Sequence, residues 1–274
     1  MTCVNLLPNL TLWKYLSQTK PLGNMKNIVP IVKITFDHKI TTSEIPSFRN
    51  SLHNALKLNY PAFQLSLVNK TYQYPFIQLK TNYNNGILQP MLVGIGAVAK
   101  TLSKILEQGD FLPMKLGGGL KKIKIEYIKV SYLNWQASQE TKKYRIFNYQ
   151  AFNQRRYQDF QRIASSQGFL SLIREALEGH IQTLYKAIGT TGLIPQIEDV
   201  KILKSSTQAI GNTRFLCFNL EFVGNVFLPE HIGLGNAVGR GFGTIRRPRK
   251  TLSRNLQAPS DIKGRPQNIT QISS

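Results

Sequence analysis

The sequence has little cysteine and no long hydrophobic run. Its two cysteines, Cys3 and Cys217, support neither a disulfide framework nor a zinc pattern, so we expect a reducing compartment. The opening residues "MTCVNLLPNLTLWKYL" carry no basic leader and no sustained apolar stretch. We therefore expect neither a signal peptide nor a membrane anchor, and we expect a cytoplasmic protein with no membrane partner.

Acidic residues are also scarce. The chain has 14 aspartates and glutamates against 35 lysines and arginines, which gives a formal net charge of +21. Such an excess does not help folding, because a compact chain of high charge repels itself. A polyanionic partner explains the excess best, with nucleic acid as the first candidate and an acidic membrane surface as the second.

The first half of the chain has the pattern of one α+β unit. Residues 28–36 are rich in β-branched side chains and predict a strand, and the sequence Asn84-Asn85-Gly86 predicts a hairpin turn within residues 72–95. A helix ending at Gly109 and a long strand rich in lysine follow. Apolar residues at helical spacing predict a helix before the hairpin: Ile45, Phe48, Leu52, Ala55 and Leu56. This order is the ferredoxin-like βαββαβ unit with one added strand.

The second half repeats the predicted order without repeating the sequence. A strand at 142–152 precedes helices at 154–166 and 168–189, and two strands follow at 194–206 and 212–229. We therefore expect an α+β protein with two tandem ferredoxin-like domains, the second ending in a C-terminal glycine-rich loop. The expected divisions are an N-terminal extension (1–27), the two domains (28–135 and 136–247) and a basic disordered tail (248–274). The tail either solubilises the protein or adds electrostatic affinity for nucleic acid.

Two glycine stretches suggest different chemistry. The stretch Gly94-x-Gly96-x-x-Ala99 has the local form of a dinucleotide fingerprint, but it follows a strand that pairs in an antiparallel hairpin. A dinucleotide-binding enzyme is therefore the weaker alternative, and we expect no cofactor. The stretch "HIGLGNAVGRGFGTIRR" (231–247) combines five glycines with arginines, so backbone amides and guanidinium groups could hold phosphates there. The alternative is a flexible turn that links two strands.

Four segments together resemble the RAMP superfamily, and more narrowly the CRISPR-associated endoribonucleases that cut repeat RNA into guide RNAs. They are "LPEHIGLGNAVGRGFGTI", "ITFDHKITTSEIPSFRNSL", "YQYPFIQLK" and "LSLIREALEGHIQTLYKAIG", and the resemblance covers roughly residues 28–247. It implies two tandem ferredoxin-like domains, binding of precursor and mature repeat RNA, and metal-independent cleavage without a metal site. It leaves open whether other CRISPR effector subunits bind.

Cleavage of this kind uses the ribose 2′-hydroxyl as nucleophile, so the protein must move protons and stabilise a charged phosphorane. The resemblance implies a catalytic histidine just after the first helix, but residues 58–74 contain none. His53 is the nearest substitute, because Arg49 and Lys57 lie four residues before and after it on one basic stripe of the helix. Lys70, Tyr72 and Tyr74 could supply a cation or a phenol. A catalytically weak or inactive repeat-RNA-binding relative is the alternative reading.

The remaining histidines receive weaker assignments. His231 either contacts phosphate or lies at a turn, His180 is expected to be structural, and His38 lies in a loop that suggests no role. Basic side chains on a strand and on a second-domain helix complete the expected RNA-binding surface. An RNA hairpin would be held there mainly through the RNA backbone. The predicted RNA-binding residues are Arg49, Lys57, Lys121, Lys122, Arg155, Arg156, Gly233, Gly235, Gly239, Arg240, Gly241, Gly243 and Arg246.

Overall fold

Alternating apolar residues along the strands let each sheet bury one face against a helix, and two such units form the protein. The computed structural model describes residues 3–6, 28–59, 74–84, 87–99, 102, 111–116, 119–135, 140–153, 157, 166–190, 194–210 and 213–248. Its strands are β1 (Cys3–Leu6), β2 (Ile28–Phe36), β3 (Ile77–Asn84), β4 (Ile87–Ile95), β5 (Phe111–Leu116), β6 (Gly119–Asn134), β7 (Lys142–Tyr149), β8 (Ile197–Ile210), β9 (Thr213–Gly224) and β10 (Thr244–Arg246). Its two long described helices are α1 (Ile45–Asn59) and α2 (Ser166–Ala187).

The first sheet has the strand order β1-β6-β2-β4-β3, with β5 paired to β6, and its ladders are antiparallel. The helix α1 covers one face of this sheet. As the spacing predicts, it buries Phe48, Leu52, Ala55 and Leu56 against the sheet, while Ile45 packs at the edge of the cluster. The opposite face of the sheet joins a second core that continues into the other half of the chain.

The second sheet has the strand order β10-β7-β9-β8, again with antiparallel pairs. The helix α2 packs on it through six buried residues: Ile173, Ala176, Leu177, Ile181, Leu184 and Tyr185. The helix ends where expected, because Gly189 takes a φ of +78° and the Thr190 amide donates to the Tyr185 carbonyl.

The two sheets share one topology. Read along the chain, the four strands of each ferredoxin-like unit lie in the spatial order fourth, first, third, second: β6-β2-β4-β3 in one and β10-β7-β9-β8 in the other. This confirms the predicted α+β class with two ferredoxin-like units. In the second unit, residues 225–243 connect β9 to β10, at the place in the motif where a second helix is usual. Within this connection only one 3₁₀ turn, Val238–Arg240, is helical.

Several expected elements differ in detail. The predicted hairpin is present, but its first strand begins at Ile77 rather than at residue 72. Two strands were not predicted: β5, and β1, which pairs with β6 although we assigned residues 1–27 to an extension. Residues 60–73, 103–110, 154–156 and 158–165 lie outside the described residues, so the helix expected at 154–166 and the helix end expected at Gly109 have no structural outcome.

The strand β4, which carries Gly94, is antiparallel to both of its neighbours, so the parallel βαβ unit that a dinucleotide site requires is absent there. A side chain at Gly94 would collide with Leu102, and Gly96 takes a φ of +66°. Gly94 therefore allows a close approach of Leu102 to the sheet, and Gly96 supplies the positive φ of the turn that follows β4.

The long strand β6 does not present its lysines on a single face. Lys122, Lys124 and Lys129 face away from the α1 core, since a register shift opposite Thr35 and Phe36 reverses the alternation between Ile125 and Ile128. Lys121 faces the other side, where it contributes to the electrostatic field at Glu44. Lys121 thus points away from the other three lysines because neighbours on a strand alternate, while the bulge brings Lys129 to the face of Lys122 and Lys124.

Candidate nucleic-acid interface

The glycine-rich segment (residues 231–247) folds back on itself before it forms β10. The His231 amide donates to the Ile245 carbonyl, and the Ile245 amide donates in return to the Ile232 carbonyl. The Leu234 amide donates to the Gly243 carbonyl at 2.9 Å. The segment is thus an ordered, tightly closed loop, not a flexible turn.

The glycines make this closure possible. Gly235, Gly241 and Gly243 take φ values of +96°, +96° and +64°, which disfavour any side chain. A Cβ at Gly243 would also overlap the Leu234 carbonyl oxygen, and one at Gly235 would lie 2.7 Å from the Tyr149 ring. These residues therefore allow close packing of the backbone.

Three of the five glycines already use the backbone amides that were expected to hold phosphate. The Gly233 amide donates to the Gln78 side chain, the Gly241 amide to the Val238 carbonyl, and the Gly243 amide to the Asn148 carbonyl. Each amide is already satisfied inside the protein, so it has no free donor for a ligand. RNA binding by Gly239, at the half-exposed tip of the segment, stays a prediction.

Arg240 stands exposed at the same tip, and its positive charge acts on a side chain of the first unit. The pKa of Arg49, on α1, is lowered by burial and then by the positive charge of Arg240. Two arginines more than 190 residues apart in sequence are thus close enough to repel each other, with Arg49 half-buried. Such a like-charge pair is stabilised by an anion that binds to both guanidinium groups.

His53 is exposed on α1, one turn beyond Arg49, so the predicted basic stripe lies along a helix that borders the glycine-rich segment. His38, for which the sequence suggested no role, lies half-exposed in the loop before α1 and stacks on Phe48 with 5.8 Å between ring centroids. The structure therefore places an exposed imidazole on α1 and a half-exposed one in the loop before it. The aromatic residue ten positions after His38 was the only sequence signal for this arrangement.

His231 is not available as a proton carrier near neutral pH. The Lys33 ammonium donates to its Nδ1 at 3.1 Å, which leaves the ring proton on Nε2. Burial, followed by the charges of Lys33, Arg246, Lys80 and Lys129, lowers the His231 pKa to about 3. Its φ of +72° places it at a turn, so the turn alternative describes it better than a phosphate contact.

Tyr74 and Arg246 are drawn into contacts between the two units. The Tyr74 hydroxyl is buried and donates to the Gly233 carbonyl at 2.7 Å. Arg246 donates to the Asn82 side chain at 3.1 Å and to the Thr81 carbonyl at 3.2 Å. Both residues therefore hold the glycine-rich segment to β3, which favours a positioning role for Tyr74 over its predicted catalytic one.

Other predicted residues lie apart or outside the description. Lys121 and Lys122 are exposed on β6, on opposite faces of that strand. Lys70, Tyr72, Arg155 and Arg156 lie outside the described residues, and so does the side chain of Lys57 on α1. Their assignments stay predictions. His180 accepts or donates a 2.8 Å hydrogen bond with the Tyr149 hydroxyl, in keeping with a structural role.

The described part of the chain brings no three His, Cys, Asp or Glu side chains together in the way that a metal site would. None of its helices combines the length and the apolar character needed to cross a bilayer.

Two antiparallel ferredoxin-like units, docked through a glycine-rich segment that bears arginines, define a protein of the RAMP fold. Family models of the Cas6b N-terminal and C-terminal domains match residues 27–134 and 136–248. Together these models cover most of the chain, and the chain belongs to the Cas6b family.

Solved structures share this fold, and a curated relative is similar in sequence. A crystal structure of Cas6b superimposes with a TM-score of 0.63 at 19% identity, over 81% of this chain and all of the other. A second structure, described as the CRISPR RNA processing endoribonuclease Cas6b, gives a TM-score of 0.56 at 18% identity over 80% of this chain and 98% of the other. An uncharacterized protein of Methanocaldococcus jannaschii is 25% identical over 49% of this chain and 91% of its own length.

Proposed function

We propose that this chain is an endoribonuclease that binds CRISPR repeat RNA and cleaves it into guide RNAs without a metal ion. Its membership of the Cas6b family supports the substrate class, since a solved Cas6b is described as a CRISPR RNA processing endoribonuclease. The observation that carries the proposal is the exposed Arg240, in a turn that Lys80 of the first unit holds by hydrogen bonds, with the charge of Arg240 acting on Arg49. An RNA phosphate between the two arginines would relieve their repulsion and bridge the two units.

The reaction needs three groups. A general base takes the proton from the 2′-hydroxyl, a general acid protonates the leaving 5′-oxygen, and a cation stabilises the phosphorane. His53 is exposed on α1 and His38 is half-exposed in the loop before it, while Arg49 and Arg240 supply positive charge. We assign proton transfer to these histidines and phosphorane stabilisation to the arginines.

The test is cleavage of repeat RNA in EDTA by the wild type and by His53→Ala and His38→Ala. Loss of a general acid or base lowers a rate by about 10²- to 10⁴-fold, so we expect a fall of that size for at least one variant, with RNA affinity little changed. Asn54→Ala, an exposed neighbour on α1, is the matched control and should cleave normally. Cleavage that stops with EDTA would contradict the metal-independent reaction, and normal cleavage by both histidine variants would contradict the assignment.

A second candidate is a relative that binds repeat RNA and cuts it weakly or not at all. Two observations favour it: residues 58–74 contain no histidine, and His231 is buried with its pKa lowered to about 3. Tight binding of the repeat RNA by the wild type without cleavage would support this candidate and overturn the first.

A further inference from the structure

Lys80, on β3, is buried almost completely, with 1% of its surface exposed. No other lysine or arginine in the described ranges is buried to this degree. Burial of an ammonium group is unfavourable unless its charge or its donors are satisfied. No carboxylate of the described residues pairs with Lys80, so the surrounding protein must hold this side chain in another way.

Two backbone carbonyls of the glycine-rich segment accept hydrogen bonds from Lys80. Its Nζ donates to the Phe242 carbonyl at 2.8 Å and to the Val238 carbonyl at 3.4 Å. Val238 begins the 3₁₀ turn that contains Arg240, and Phe242 follows that turn. Lys80 therefore adds a donor from the other unit to the Val238 carbonyl, which also accepts from the Gly241 amide, and to the Phe242 carbonyl after the turn.

Two further side chains hold the same segment at its other end. The Gln78 side chain accepts from the Gly233 amide at 2.8 Å, and the Tyr74 hydroxyl donates to the Gly233 carbonyl at 2.7 Å. Gln78 also donates to the Tyr74 hydroxyl at 2.8 Å, which joins the two contacts into one network. Gly233 is required at this point, because its Cβ would lie 2.6 Å from the Lys80 Nζ.

We propose that Lys80, together with Gln78 and Tyr74, positions the glycine-rich segment by fastening it to the first unit, and so fixes the place of Arg240. The three side chains hold Gly233 at one end of the exposed tip and Phe242 at the other. Arg240 lies between these two attachments. The consequence for RNA rests on the proposed function, whereas the fastening itself does not.

The fastening is tested by hydrogen exchange of the full-length protein without RNA. Lys80→Met removes the donors but keeps an unbranched side chain, and Tyr74→Phe removes a single hydroxyl in case the first variant does not fold. We expect peptides from residues 231–247 to exchange about tenfold faster in either variant, while peptides of α2 keep their protection. Lys201→Met, at an exposed strand lysine, should exchange like the wild type. Unchanged exchange of the segment in both variants would overturn the proposal.

The effect on RNA is tested by a double-mutant cycle of hairpin affinity. If Lys80 acts through Arg240, Lys80→Met should weaken RNA binding about tenfold when Arg240 is present. In the Arg240→Ala background the same substitution should weaken RNA binding by less than about twofold. An equal loss in both backgrounds would overturn this route. If Tyr74 were catalytic, the Tyr74→Phe variant would instead cleave the RNA slowly and bind it with unchanged affinity. If the wild type binds no repeat RNA, the proposed function fails, and the exchange experiment still decides the fastening.

Discussion

The buried Lys80 predicts a specific dependence of stability on pH. Burial lowers its pKa from 10.5 to about 7, and His231, which senses the Lys80 charge, stays neutral in this range. Between pH 7 and pH 10.5 the unfolded chain therefore holds a proton on this side chain that the folded protein has lost. Because unfolding takes up a proton, the free energy of unfolding should rise with pH across that interval.

The magnitude follows from the same two values. One proton contributes about 1.4 kcal/mol per pH unit, so the interval allows a gain of roughly 5 kcal/mol at its upper limit. Below pH 7 the side chain is charged in both states and this contribution is absent. Other groups titrate at high pH as well, so the informative quantity is the difference between the wild type and Lys80→Met at each pH.

Denaturant unfolding at pH 6.5, 7.5, 8.5 and 9.5 measures this difference. We expect the wild type to gain stability relative to Lys80→Met by about 1 kcal/mol for each unit of pH above 7. Lys201→Met, at an exposed lysine, should show no such trend. A difference between the wild type and Lys80→Met that stays constant from pH 6.5 to 9.5 would refute the reasoning.

Three other predictions concern the same junction and its support. Arg240→Ala should weaken repeat-RNA binding and reduce the salt slope of log Kd by about one, and an unchanged slope would mean that Arg240 meets no phosphate. Gly243→Ala should lower the free energy of unfolding by about 2–4 kcal/mol, because Gly243 has a positive φ and a Cβ there would overlap Leu234. Gly119→Ala, where a Cβ meets open space, should lower it by less than about 1 kcal/mol, and equal losses in the two variants would contradict the role of Gly243. Tyr144→Phe should cost about 1–3 kcal/mol, since its buried hydroxyl donates to the Val226 carbonyl and accepts from the Leu228 amide, while the exposed Tyr83→Phe measured in parallel should unfold like the wild type.

The helices and the paired strands followed from local sequence. The spacing of Phe48, Leu52, Ala55 and Leu56 predicted the face that α1 buries, and Gly189 predicted the end of α2. These features depend on neighbours within one or two turns, so periodicity and capping residues suffice to find them. The strand β5 was missed because its pattern is short and contains Pro113, which local rules treat as a breaker.

The roles of the glycine-rich segment depend on partners far away in sequence. Its glycines suggested free amides for phosphate, but Gln78 and Asn148 take two of those amides across distances of 155 and 95 residues. The burial of Lys80 on β3 could not be predicted from the neighbouring residues either. The carbonyls that accept its hydrogen bonds lie some 160 residues later in the sequence. Alternation places a side chain on a face of a sheet, and only the docked second unit determines what covers that face.

The proposed cleavage requires the 2′-hydroxyl to act as nucleophile in a repeat RNA held by this chain. That attack forms a 2′,3′-cyclic phosphate and releases a 5′-hydroxyl, so it fails when the nucleotide before the cut carries no 2′-oxygen. The most direct measurement compares repeat RNA with the same RNA bearing one 2′-deoxy nucleotide at that position, in EDTA, with affinity measured in parallel. We predict equal binding of both RNAs and cleavage of the unmodified one alone. Cleavage of both RNAs, or of neither, would contradict the proposed reaction.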